Sequence, residues 1–118
     1  MNDNFNLYKS VKDFSFELMK YTNNIPRNLI YIKEGMQDSF VTSIRLIRYY
    51  VVNMNESSRV KYKYLKDLIV ELSMIDYYIE CLYVNKALGK NRYSEYAERL
   101  ANIRKLTYGV INSEKKQS

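Results

Sequence analysis

The chain has 118 residues, the length of a single domain. With 47% hydrophobic and 27% charged residues, chain-wide disorder is excluded; with 3 Gly and 1 Pro, so is a sandwich or barrel of short strands, which needs frequent turn residues. Net charge is +6, and there is no His, which removes most hydrolytic triads, the Glu-x-x-His di-iron bundle and nearly all zinc sites.

Other chemistries fall away as well. There is no CxxC, no Walker A loop and no GxGxxG. The single Cys cannot form an internal disulfide, no apolar run with a small-residue cleavage site occupies residues 1–20, and no stretch approaches 18 uncharged apolar residues. The expectation is a cytoplasmic, non-enzymatic protein with no cofactor, metal or membrane span, in which Cys81 is a reduced thiol and the Asn55-Glu56-Ser57 sequon is unused.

The first helix is expected from about Asn4 to Tyr21. Leu7, Val11, Phe14, Leu18, Tyr21 and Ile25 recur at alternating spacings of three and four, one helix face in a bundle. Asn23-Asn24-Ile25-Pro26 ends it, since Pro disfavours helix at the residue before it and fits the first turn of the next. The second helix is expected from about Arg27 to Met54, with Leu29, Ile32, Met36, Phe40, Ile44, Ile47, Val51 and Met54 on one face. Ser57 or Ser58 is the candidate N-cap of the third, from about Arg59 to Leu88, striped by Leu65, Leu68, Leu72, Ile75, Ile79 and Leu82 and closed by Gly89. Asn91 caps the fourth, with Tyr93, Tyr96, Leu100, Ile103, Thr107 and Val110 inside. Residues 1–112 form the domain and Ser113–Ser118 a frayed polar tail.

Short connections join such helices up-down-up-down. Because the middle helices are longer by this reading, the corner between the second and third is expected to protrude beside the chain termini. Tyr77, Tyr78, Cys81 and Val84 lie off the main stripe of the third helix and form a candidate oligomer interface; the alternative is that they widen the core. Gly35 is expected at a close helix approach near Asp76, with Lys33 or a Tyr hydroxyl as the carboxylate's partner. Asp67/Glu71 and Asp76/Glu80 are spaced to share a metal, though such pairs are more often solvated.

The charge is uneven. Arg45, Arg48, Arg59, Lys61, Lys63 and Lys66 stand against Glu56 alone, so residues 45–66 carry +5 of the +6. Tyr49, Tyr50, Tyr62 and Tyr64 interleave with them. Basic groups neutralise phosphates and aromatic rings stack on unpaired bases, so these six are the candidate nucleic-acid-binding residues. A solvated bundle end would show the same run, and the joint abundance of Lys, Asn, Ile and Tyr is the bias of AT-rich coding. No base-reading motif is present, so binding would follow shape and phosphate rather than sequence.

The order and spacing of several segments resemble a known family. They are Leu7-Tyr8-Lys9 with Val11 and Asp13-Phe14; Asn24-Ile25-Pro26-Arg27; Gly35; Tyr64-Leu65-Lys66-Asp67-Leu68; Ser73-Met74-Ile75-Asp76-Tyr77-Tyr78; and Ile103 through Ile111. Over about residues 5–114 the chain is similar to the four-helix-bundle family of the Avd accessory proteins of diversity-generating retroelements and of proteins encoded in intervening sequences of bacterial 23S ribosomal RNA genes. The last segment looks closest to the Avd branch. The resemblance implies a homopentameric, basic, non-catalytic protein that binds RNA, and DNA as well, and associates with a reverse transcriptase during mutagenic cDNA synthesis. The intervening-sequence branch implies instead a structural or interaction protein without that partner.

Overall fold

The computed structural model describes residues 3–117 and is all-helical, with no strand among those residues. Four long helices follow one another: α1 (Asp3–Thr22), α2 (Ile30–Val52), α3 (Ser58–Val84) and α4 (Lys90–Gln117). Each packs on its neighbour in sequence, and α4 returns to α1, closing a four-helix bundle of 46 × 22 × 20 Å. No described helix is long and apolar enough to cross a membrane.

The stripes read from the sequence are the core, with one correction: at the end of α2 Val51 is 48% exposed and its neighbour Tyr50 is buried instead. Leu7, Val11, Phe14 and Leu18 from α1, Ile32, Met36, Phe40 and Ile47 from α2, Leu65 through Leu82 at the expected spacing from α3, and Tyr96, Leu100, Ile103 and Val110 from α4 are all buried. Phe14 is the centre, with Phe40 and Tyr96 edge-on to it at 5.7 Å. Edge-to-face contact sets the ring quadrupoles against one another favourably, beyond the area they bury.

The boundaries differ from expectation in physical detail. Pro26 opens a single 3₁₀ turn, Arg27–Leu29, before α2 becomes regular at Ile30. Ser57 does cap α3, its side chain accepting from the Val60 amide. α3 ends a turn earlier than Gly89 would imply. Asn85 Nδ2 donates to the Cys81 carbonyl, and Lys86 takes the left-handed conformation, φ 62°, that a glycine was expected to supply. Leu88 then plugs that end of the core.

The largest departure is at the other end. α4 does not stop at residue 112; it continues through Gln117, with Val110, Ile111 and Glu114 buried. The expected frayed tail is its last turn. At 28 residues, α4 matches the 27 of α3, so the corner between α2 and α3 does not project alone but has α4 packed against it.

Gly35 is where α2 and α3 come closest, but against Tyr78 rather than Asp76: a Cβ there would lie 2.5 Å from the Tyr78 ring carbon Cζ. Asp76 faces α4 instead, with Arg104 Nη1 at 3.5 Å. Ala in place of a mid-helix Gly gains about 1 kcal/mol of helix propensity, which displacement of the ring would offset. Gly35→Ala is therefore expected to stabilise by up to about 1 kcal/mol in a Tyr78→Ala background and by less, or not at all, beside the native tyrosine. Urea unfolding of the four proteins reads the coupling; equal effects in both backgrounds would contradict it.

Candidate nucleic-acid interface

The six candidate residues fall on two helices. Arg45 and Arg48 leave the last turns of α2; Arg59, Lys63 and Lys66 leave the first turns of α3 at spacings of four and three, on its outward side. All five are exposed, and among the described residues none of them is in an ion pair with a carboxylate. Arg59, Lys63 and Lys66 line one open groove with Val60, Tyr62, Tyr64 and the carboxylate residue Asp67.

Lys61 does not join them. It occupies the position one turn before Leu65 on the buried stripe, and its side chain keeps only 8% of its surface. Its ammonium lies 3.2 Å from Glu114 Oε2 and donates to the Met54 carbonyl at 3.2 Å. Glu114, equally buried, also accepts from the Tyr50 hydroxyl at 2.7 Å and from Ser58 Oγ at 3.4 Å. Each charge thus has several polar partners, the condition under which a buried pair is tolerated. The expectation that Lys61 faces solvent is corrected. A charged residue on the inner stripe stays there because a second charged residue on the facing helix meets it.

The aromatic rings are also more committed than their sequence positions imply. Tyr50 is buried on Glu114, and Tyr64 is half-buried in a stacked pair with Tyr49, centroids 5.4 Å apart. Tyr62 is half-buried with ammonium groups beside its ring. Only Tyr49, 48% exposed, offers much free ring. The surface is therefore built for charge more than for base stacking.

Arg48 sits apart from the α3 groove. Its guanidinium donates to the Tyr8 hydroxyl of α1 at 2.7 Å and lies 5.1 Å from the centre of that ring, which Lys12 shares. The rest of α1 is balanced. Lys9 pairs with Asp13 at 2.8 Å, a bond that holds the exposed Asp13 carboxyl below its ordinary range, while Glu17 pairs with Arg99 of α4.

The candidate oligomer face divides in the same way. Tyr77 and Val84 are 56% and 68% exposed, and with Val70 and Met74 they continue the outward side of α3 beyond the basic groove. Tyr78 is turned inward onto Gly35, and Cys81 is half-buried. The Tyr77 hydroxyl is held above the ordinary phenol range, chiefly by its hydrogen bond to the Cys81 sulfur.

No family model matches the chain, and neither does any curated protein or solved structure.

Removing one partner from a buried ion pair strands the other charge, at a cost of about 3–5 kcal/mol, whereas apolar replacement of both is often neutral. Glu114→Ala is expected to destabilise by that amount, and the double variant Lys61→Met/Glu114→Leu to return close to wild type. Arg59→Gln and Lys63→Gln, at the exposed surface, should each stay within about 0.5 kcal/mol. Denaturant unfolding checks all four; a Glu114→Ala cost below about 0.5 kcal/mol would contradict the packing of α4 on the corner.

Proposed function

We propose that this protein is a non-catalytic nucleic-acid-binding bundle, an accessory of the Avd type that holds RNA and its cDNA for a partner reverse transcriptase. The observation that carries the reading is the concentration at one end of the bundle of exposed basic side chains that, among the described residues, are in no ion pair with a carboxylate: Arg45 and Arg48 on α2, and Arg59, Lys63 and Lys66 on α3. The sequence resemblance supplies the reverse transcriptase and the pentamer. The outward apolar strip of Val70, Met74, Tyr77 and Val84 supports self-association, because that much apolar side chain on one helix face is characteristic of an interface. The second reading is a structural bundle of the intervening-sequence type. The Tyr77–Val84 strip is compatible with it, but it leaves the basic groove without a use.

The test of binding follows from charge. Each phosphate neutralised contributes about 0.9 to the log–log salt slope for duplex DNA and about 0.7 for single strands. Changing Arg59, Lys63 and Lys66 together to Gln is expected to flatten the slope by about two units on single-stranded RNA if all three contact phosphate, with the fold intact. The same change at Lys9, Lys12 and Lys20 should matter less, since Lys9 is paired and Lys12 sits beside Asp13. Equal loss in both triple variants would move the site; no loss in either would favour the structural reading.

The partner has its own test. A reverse transcriptase encoded beside this protein is expected to co-purify with it and to require it for cDNA synthesis on the cognate RNA. Full activity of that enzyme alone would refute the accessory role.

A further inference from the structure

One tyrosine at the basic end of the bundle keeps an open ring. The seam where α2 and α3 meet at Gly35 and Tyr78 reaches, two heptads nearer the corner in each helix, Tyr49 and Tyr64. Their rings stack with centroids 5.4 Å apart and planes inclined by 24°. Tyr64 is half-buried, whereas Tyr49 is 48% exposed. Among the described residues Tyr49 stacks on no other ring, and the cations that sit on aromatic faces elsewhere in the bundle leave this one open.

The surroundings of the pair are cationic. Tyr64 lines the open groove with Arg59, Lys63 and Lys66, against Asp67 as the carboxylate of that lining. Arg45 stands one turn before Tyr49 on the same side of α2, exposed and, among the described residues, in no ion pair. The other stacked pair among the described residues, Tyr83 and Tyr93 at the opposite end of α3, has an acidic setting. Burial, with Glu80 and Asp76 close by, holds the Tyr93 hydroxyl above the ordinary phenol range. Carboxylates there would repel a phosphate chain; the cations around Tyr49 and Tyr64 draw one.

A ring already held by a neighbour has less side-chain freedom to lose when a second flat group is laid on it. A flat apolar group carried on phosphates is a nucleobase. In a duplex its faces are covered by the neighbouring bases, whereas a single strand can turn one out onto an aromatic ring. We propose that Tyr49, backed by Tyr64, is a stacking platform for one unpaired base of a single-stranded nucleic acid whose phosphates are met by Arg45 and Lys63. This rests on the nucleic-acid reading above and deepens it by naming the single strand as the ligand class. Stacking uses the face of the base and not its edge, so it adds affinity without base identity.

The experiment measures binding across a salt series of a 20-nucleotide uridine RNA, an abasic oligomer of equal length and an RNA duplex of equal length. The proteins are the wild type, Tyr49→Phe and Tyr49→Ala, with circular dichroism confirming helicity. Stacking predicts that Tyr49→Ala weakens uridine RNA binding about tenfold with an unchanged log–log salt slope, because no phosphate contact is lost, and that Tyr49→Phe binds as the wild type does. All three proteins should bind the duplex alike and the abasic chain alike, and the wild type should hold the abasic chain more weakly than the uridine RNA. Equal loss by Tyr49→Ala on all three ligands, or a flattened slope, would mean that the ring only shapes the charged groove, and would overturn the platform. A loss in Tyr49→Phe as large as in Tyr49→Ala would assign the effect to the hydroxyl and overturn it as well. Uridine RNA binding that is steep in salt and unaltered by Tyr49→Ala would overturn the platform and leave the nucleic-acid reading standing. Absence of salt-dependent wild-type binding would remove both.

Discussion

The buried pair of Lys61 and Glu114 is the constraint on which the functional end of this molecule depends. Two opposite charges taken out of water need close geometry and additional hydrogen bonds, and here the Met54 carbonyl, the Tyr50 hydroxyl and Ser58 supply them. These groups come from the end of α2, the connecting corner, the start of α3 and the last turn of α4. Through these contacts the cluster joins the last turn of α4 to the corner beside the basic groove.

That junction decides what the surface can do. One basic residue of the corner is consumed internally, and one from the far end of the chain is brought into its place. The exposed charge is therefore assembled from three helices rather than carried on a single projecting hairpin, and its shape follows from the packing of α4. The tyrosines contribute mostly as supports: Tyr50 bonds to Glu114, Tyr64 stacks on Tyr49, and Tyr62 orients ammonium groups. Under the proposed function, such a surface would meet phosphate groups rather than base edges.

Much of the fold was legible in the sequence because the core is built from uninterrupted stripes: Leu65 to Leu82 on α3 keeps its spacing without a gap, and every member is buried. The end of α4 was not, because reading apolar residues alone stops at Ile111. Continuing the spacing from Ile103, Thr107 and Val110 reaches Glu114, and extending the α3 stripe backward from Leu65 reaches Lys61. Two opposite charges at facing stripe positions were the available signal, and a hydrophobic pattern passes over it. The end of α3 was misplaced for a related reason: Asn85 and Lys86 perform locally what a glycine was expected to perform. Gly35 marked a close approach correctly, but its neighbour is the Tyr78 ring, two residues on from Asp76 and on a different face of α3.

The proposed function places nucleic acid where α3 and the last turn of α4 come together. Photocrosslinking to an RNA carrying 4-thiouridine at several positions, followed by mass spectrometry of the digested protein, tests it directly. Crosslinked peptides are expected from residues 59–66 and from the last turns of α4, and none above background from α1. Crosslinks concentrated on α1 or on the Tyr77–Val84 strip, or no specific crosslinks at concentrations where binding is saturated, would contradict it.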